Sequence, residues 1–401
     1  MKILVVSQYF YPENFRINDL CKGLKEQGHS VSVLTAKPNY PKGKFFEGYN
    51  FFNKPKEVYQ GINIYRSPII PRGDSAGFKL FLNYTSFVLF GVIRLFFINE
   101  KFDKIFVYAP SPITVGYVGI AASFFFRAKP YLWVHDLWPE SVKDAGGITN
   151  KLILELVNLM TKSIYYFYDN ILVQSPKFKD YLLCQGVKDS KIIFYPYYAE
   201  NFYKVVKEDP IIKSQYGNGL NIIFAGNIGV AQSFDTIIES AKLLKTKIKN
   251  FKFIIIGEGR YKKRVLEKIR NCSLDNNFEF LGSFPAEEMP VFFASADALL
   301  VSLKDTEIFA MTIPGKLQSY LASGKPIIAS INGIGAEIIK ESKSGYVSNA
   351  EDPISLSNSI IDFSKLNLKQ RKALGKNARN YYKKEFERTR LLNRLINIFE
   401  E

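Results

Sequence analysis

The chain has little of what metal and redox chemistry depend on. Its 401 residues include three cysteines, Cys21, Cys184 and Cys272, far apart and in no CxxC or metal-ligand spacing. They read as buried thiols of a reducing compartment. There are only two histidines, His29 and His135, and no Asp-x-Asp pair, so no metal or other cofactor is expected. An apolar leader is missing too. Met1-Lys2 runs straight into Ile3–Val6, four apolar residues against the longer core of a signal peptide, and export is not expected. The greasiest window, Phe78 to Phe97, contains Lys79, Asn83 and Arg94. Its charge-free interior is shorter than the roughly 20 apolar residues of a spanning helix, so no segment is expected to cross a membrane. No repeat relates the two halves.

What is present suffices for two domains of ordinary size with large cores, since hydrophobic residues make up 47% of the chain. The formal charge is +16, and residues 1–200 and 201–401 each carry +8 of it. An excess spread this evenly reads as general attraction to anionic partners: a membrane surface, nucleic acid or nucleotide substrates.

The order of elements indicates an α/β fold. Apolar runs at Ile3–Val6, Val31–Leu34, Ile62–Arg66, Lys104–Tyr108, Tyr131–Val134, Ile171–Val173 and Ile192–Tyr195 are separated by loops and helical lengths, the rhythm of a parallel sheet covered on both faces. Pro196, Pro210 and Gly217-Asn218-Gly219 then read as a linker. The alternation restarts at Leu220–Ala225, Phe251–Ile256, Phe278–Leu281, Ala298–Leu303 and Pro326–Ser330. Two Rossmann-like, doubly wound parallel-sheet domains facing an interdomain cleft are expected, at 1–200 and 201–375. A helical tail, 376–401, is expected to pack back on the first.

The stretch Asp305 to Pro326 carries the strongest signal. Leu317, Tyr320 and Leu321 recur at helical spacing, with Pro314 at the start and Gly324 past the end. The first turn of such a helix offers free backbone N–H groups to a phosphate at the carboxyl end of the sheet. Lys316 sits in that turn, where the helix dipole gives a cation no support; an anion between the two would reconcile them. Three further strand ends carry glycine: Gly226-Asn227-Ile228-Gly229 with Gln232, Gly257-Glu258-Gly259, and Leu281-Gly282-Ser283. Position 262 is Lys, so the dinucleotide fingerprint is not met. With Thr312, Pro314, Gly315, Lys316, Leu317 and Tyr320 these outline one nucleotide-sized cleft. In the first half His135-Asp136-Leu137-Trp138-Pro139-Glu140-Ser141 leaves a buried strand, a loop well placed for chemistry. Glu13 and Arg16 stand between the first strand and its helix, where Glu13 could simply cap the helix.

These motifs, FAGNIG, IIIGEG, FLG and TIPGKLQSYLASGKPIIAS, with SQYFYPE, KPNYPKG and HDLWPES in the first half, resemble the retaining GT-B glycosyltransferases of family four. Within them the likeness is to the bacterial L-fucosamine (N-acetyl-L-fucosamine) transferase-like subgroup of O-antigen and capsule assembly. The resemblance implies a UDP-sugar held by the second domain, an acceptor on the first, and metal-free transfer with retention of anomeric configuration. The aromatic window Phe78–Phe97 reads either as ordinary helix core or as an interfacial surface that the basic excess would set on anionic lipid. A polyprenyl-diphosphate-linked saccharide as acceptor would make the second useful, with the protein expected to be cytoplasmic at the inner face of the membrane. The resemblance sets Glu13 and Arg16 against the diphosphate and acceptor. Asp136 or His135 would bind the acceptor hydroxyl or act as its base, Asp136 being preferred. This chain departs from the family at four places. Asn227 and Gln232 stand where Arg and Lys usually meet the diphosphate, and Met311 and Ser319 where two glutamates stand; Glu307 is the candidate substitute. A cation about 4 Å from a phosphate contributes roughly 4 kcal/mol at an effective dielectric of about 20, whereas a helix opening contributes about 0.3–1 kcal/mol. Lys316, helped by Arg260 or Arg16, is therefore expected to hold the diphosphate. The alternatives are a GT-B UDP-sugar 2-epimerase, which would call for more acid and base groups, an inactive carbohydrate-binding relative, and a basic nucleic-acid-binding protein, which would segregate its charge; nucleic acid is not expected as a partner.

Overall fold

The computed structural model describes residues 1–73, 77–144 and 147–401. The chain divides into two units, Met1–Tyr195 with Leu392–Glu401, and Pro196–Leu391. Each is a parallel sheet between helices.

The first unit contains β1 (Lys2–Val6), β2 (Ser30–Ala36), β3 (Lys56–Tyr59), β4 (Ile62–Ser67), β5 (Lys104–Ala109), β6 (Lys129–Val134), β7 (Asn170–Val173) and β8 (Ile192–Phe194). They lie in the order β3-β4-β2-β1-β5-β6-β7-β8. All neighbours are parallel except β3, which runs antiparallel to β4. Strands buried on both faces need continuous apolar runs, which is why Ile3–Val6 is fully buried and readable from sequence. The second unit contains β9 (Leu220–Ala225), β10 (Phe251–Ile256), β11 (Phe278–Gly282), β12 (Ala298–Ser302), β13 (Ile327–Ser330) and β14 (Gly345–Ser348), in the wholly parallel order β11-β10-β9-β12-β13-β14. Strand order reverses between β1 and β5 in one sheet and between β9 and β12 in the other. Such switch points are where open α/β sheets bind ligands.

Two edge strands, β3 and β14, escape the sequence pattern: each has four residues and no apolar run. The division of the chain also differs from the expected one. Ala199 is buried in the second unit's core and its carbonyl accepts a hydrogen bond from Tyr382, so the boundary precedes Pro196. The expected break at 375/376 falls inside the helix Leu368–Glu385, whose Ala378 and Tyr382 belong to that same core. Only the end of the next helix, Arg388–Glu400, returns: Phe399 packs its ring 4.8 Å from Tyr131 and 5.6 Å from Phe106 of the first unit. Of the cysteines only Cys21 is buried; Cys184 is exposed.

The aromatic window forms the helix Gly77–Leu95, whose 19 residues are long and apolar enough to cross a membrane by length and composition. The expectation from charge spacing was stricter than the helix itself. Buried polar groups nevertheless tie it to the first unit: Asn83 donates to the Ile70 carbonyl at 2.6 Å and accepts from Gln8 at 2.8 Å. Unpaired in hydrocarbon, such groups would cost several kcal/mol each. Its outer face carries exposed Phe78, Phe81, Leu89, Phe96 and Phe97. That face continues over Phe125, 5.1 Å from Phe96, and through Phe124 to Phe167, with exposed Leu152, Leu156 and Leu159 beyond.

Candidate functional site

In the second unit the site is built first from backbone. Gly226 and Gly257, at the ends of β9 and β10, both have φ of +140°, and Gly282 at the end of β11 has +81°, a region that L side chains rarely enter. The three turns are sewn together. Gly226 N–H donates to Ile256 O, Gly257 N–H to Gly282 O, Ile228 N–H to Glu258 O, and Tyr261 N–H back to Ile228 O, all within 3.1 Å. Packing leaves no room for Cβ atoms: one on Gly257 would lie 2.0 Å from Gly226 O, one on Gly259 2.1 Å from Ile228 O. These glycines are required by backbone meeting backbone, before any ligand is considered.

The helix Gly315–Ser323 is fixed by fully buried Leu317, Tyr320 and Leu321; truncating a side chain like Leu317 typically costs about 2–5 kcal/mol. Tyr320 reaches back to β9, its hydroxyl accepting from Ala225 N–H at 2.9 Å. The helix start at Pro314 has no side-chain cap. Lys316 then folds inward. Its Nζ is buried without a hydrogen-bond acceptor and lies 3.6 Å from the centre of the Phe224 ring, beside Gly226. Burial alone pulls its pKa down to about 7. A cation–π contact is worth about 0.5–2 kcal/mol, less than the usual cost of burying an ammonium ion without a partner anion. An anion here would satisfy Lys316 and the helix opening together.

The other expected donor residues are spread around this point. Asn227 and Glu258 are exposed, and Glu258 pairs with Lys262 at 2.6 Å. Gln232 turns its side-chain oxygen onto Gly229 N–H at 3.1 Å, shaping the turn, so that oxygen is not free for a ligand. Thr312 bonds the Ile308 carbonyl. Leu281 is half-buried and Ser283 exposed. Glu307 is exposed in the first turn of the short helix Glu307–Met311, while Ser319 is buried. Phe224, which carries Lys316, was not singled out by sequence; it stands next to the glycine turn, but an aromatic at a buried strand end gives no sign of a cation 92 residues away.

In the first unit the loops after β1 and β6 supply carboxylic acids instead, held by groups on the loops after β2 and β5. Glu13 is 2% exposed. It does not cap the following helix, as its position suggested. One oxygen accepts from the backbone N–H groups of Asn39 and Tyr40 at 2.8 and 2.7 Å, binding the β1 loop to the β2 loop. Burial raises its pKa to about 7 despite those bonds. Asp136 is half-buried, bonded by the hydroxyl of Ser141 and by Ser111, and burial raises it to about 6. His135 packs against Trp133 and Tyr108, ring centres 4.1 and 4.8 Å apart; burial, then Arg16, hold it neutral. A base that ionises near pH 6 and is held by two hydroxyls suits proton abstraction near neutrality better than an enclosed imidazole.

Comparison with known proteins joins the two halves. Residues 15–196 match the family described as "Glycosyltransferase Family 4", and residues 206–381 that described as "Glycosyl transferases group 1". The chain is a glycosyltransferase of the group 1/family 4 superfamily. It is 26% identical over 338 residues, 81% of this chain and 82% of that protein, to the putative colanic acid biosynthesis glycosyl transferase WcaI of Escherichia coli (strain K12). The fold is GT-B: a sucrose-phosphate synthase from Thermosynechococcus elongatus superposes with TM-score 0.75 at 17% identity, covering 100% of this chain and 98% of that one. Anabaena HepE, solved in complex with UDP-glucose, gives 0.70 at 15%, covering 100% and 99%.

Proposed function

We propose that this glycosyltransferase takes an N-acetylated deoxyhexosamine, N-acetyl-L-fucosamine being the first candidate, from a UDP-sugar to a lipid-linked saccharide during assembly of a surface polysaccharide. The chemistry is read as retaining and independent of metal. The observation that carries the donor half is Lys316, a buried ammonium without an acceptor at an uncapped helix start, beside the glycine turn of β9. With Asn227 and Gln232 neutral, it is the cation assigned to the diphosphate, with Arg260, next to Gly259, as its helper. The neighbour HepE, which holds UDP-glucose in the same fold, supports a nucleotide donor; the relative WcaI, named for colanic acid biosynthesis, supports a polysaccharide product. Asp136 is the acceptor's base, Glu13 and Arg16 shape the acceptor-facing loops, and Glu307 meets the donor sugar. The exposed aromatic face of the first unit rests on the cytoplasmic leaflet, where the net charge of +16 favours anionic lipid.

Calorimetry with UDP, without added metal and with a chelator present, tests the donor half. Wild type binds; Lys316→Ala loses about 100-fold or more in affinity, within the roughly 4 kcal/mol of one cation near a phosphate. Unchanged affinity in the variant would remove the assignment. A panel of UDP-sugars assayed for transfer then identifies the donor.

A further inference from the structure

The first unit holds a second cationic site, between the loop after β2 and the helix Gly77–Leu95. A cavity of about 200 Å³ is lined by Lys37, Arg66 and Arg94 together with Phe51, Phe90, Phe97 and four further residues. Lys37 and Arg66 are each 1% exposed, and neither belongs to the donor or acceptor groups named above. Arg66 is neutralised by Glu57, to which it is ion-paired, and it also bonds the Ala36 and Tyr11 carbonyls. Among the described residues neither of the other two cations is ion-paired, although Glu57 lies near enough to Lys37 to favour its charge slightly. Lys37 Nζ donates to the Lys54 carbonyl at 2.9 Å and Arg94 to the Pro55 carbonyl. Arg94 Nε is buried with no hydrogen-bond partner among the described residues. Burial, followed by Arg66, pulls the Lys37 pKa down to about 8, and burial lowers that of Arg94. Two desolvated cations around one small cavity are costly unless an anion joins them.

The cavity is smaller than the roughly 300–1,000 Å³ of sites that enclose a whole ligand. It fits a headgroup. Its rim is apolar where a site for free phosphate would be polar: Phe52 is 84% exposed and Phe97 66%. Phe97 follows the helix Gly77–Leu95, and Phe52 meets Phe51, which in turn meets Phe90 of that helix. We propose that Lys37 and Arg94 bind the phosphate ester of a membrane lipid whose chains lie over Phe52, Ile93 and Phe97. The inference rests on the membrane-facing part of the proposed function, and it adds one defined phosphate site to what would otherwise be adsorption by charge and grease.

The test uses the full chain and two probes: water-soluble short-chain phosphatidic acid by calorimetry, and flotation with vesicles of phosphatidylcholine alone or mixed with phosphatidic acid. Wild type binds the short-chain lipid, and binds inorganic phosphate far more weakly. Arg94→Gln weakens short-chain binding about fivefold, the share of one basic residue against an anionic lipid, whereas Lys22→Gln, an equal charge change on an exposed helix of the same unit, leaves it unchanged. Lys37→Met is expected to weaken it likewise; if that buried variant fails to fold, Arg94→Gln still decides. Equal losses in Arg94→Gln and Lys22→Gln, no short-chain binding, or inorganic phosphate binding as well as the lipid would each overturn the proposal. Vesicle adsorption that persists while the soluble lipid fails to bind sinks the pocket and spares the membrane face. UDP affinity, measured in parallel, reports the donor site separately.

Discussion

At the carboxyl ends of its strands the second unit carries glycines and a cation with a buried Nζ; the first carries two carboxylic acids, one buried and one half-buried. In the second, Gly226, Gly257 and Gly282 bring backbone against backbone, and Lys316 is left with an aromatic ring for company. In the first, Glu13 and Asp136 are held by backbone N–H groups and hydroxyls that satisfy most of their oxygens. An ammonium without an anion calls for a ligand; a carboxyl wrapped in donors can stay as it is and hold or give up a proton. On the proposed reading, binding and proton transfer are divided between the units by what surrounds each charge. Variants at the two places should behave in opposite ways.

The largest effect is expected at Asp136. With its pKa raised to about 6, the carboxylate form needed to accept a proton builds up as pH rises through 6, so kcat/KM should show an acid limb there. Asp136→Asn removes the limb and lowers turnover about 10²–10⁴-fold, the usual range for a positioned base, while UDP affinity by calorimetry stays as it was. Equal losses in turnover and affinity would place Asp136 in binding and erase the division.

Next comes Gly257→Ala. The new Cβ would meet Gly226 O at 2.0 Å on a backbone at φ +140°, strain of about 1–3 kcal/mol before the turns separate. Thermal unfolding should show a loss of at least that size, with weaker UDP binding. Gly28→Ala, where nothing lies within 4 Å of the added atom, carries only the cost of positive φ and leaves UDP binding alone.

The glycines and Lys316 were legible because their constraints are local: a sharp turn after an apolar run, and a cation in a first helical turn. The central strands were legible for the same reason, each being a run buried on both faces. What the sequence hid is long-range. Glu13 looks like a helix cap until Asn39 and Tyr40 come against it, 26 and 27 residues on. The burial of the Lys316 ammonium against Phe224, 92 residues away, leaves no local mark either. The edge strands β3 and β14 bury too little to leave a pattern. One continuous helical stretch at the carboxyl terminus conceals both the break after Glu385 and the passage from the second unit to the first at Leu392, inside the next helix.

Smaller, but opposite in sign at the two places, are the effects on stability without ligand. Lys316 has a folded pKa of about 7 against 10.5 unfolded, so between those values the unfolded chain binds more protons and stability rises with pH. Lys316→Met should therefore be more stable than wild type at and below pH 7, the difference closing towards pH 10.5, and saturating UDP should reverse the order by stabilising only wild type. A Lys316→Met protein less stable than wild type without ligand would mean that the Phe224 contact outweighs desolvation.

The smallest effect is at Glu13, where the slope runs the other way. Its folded pKa of about 7 lies above the unfolded 4.5, so the folded chain binds more protons between those values. The stabilisation is complete below 4.5 and is lost as pH rises through 7. Glu13→Gln should flatten that slope. Its amide oxygen can still accept from Asn39 and Tyr40, while its NH₂ turns towards the Phe10 N–H that the second carboxyl oxygen meets at 3.4 Å. Leaving that one weak bond unmade costs about 1 kcal/mol. Chemical denaturation of wild type and Glu13→Gln from pH 4 to 8, and of wild type and Lys316→Met from pH 6 to 10.5, should then give two difference curves of opposite slope. Curves of the same sign would show that both charges are governed by net charge alone and not by what packs against each of them.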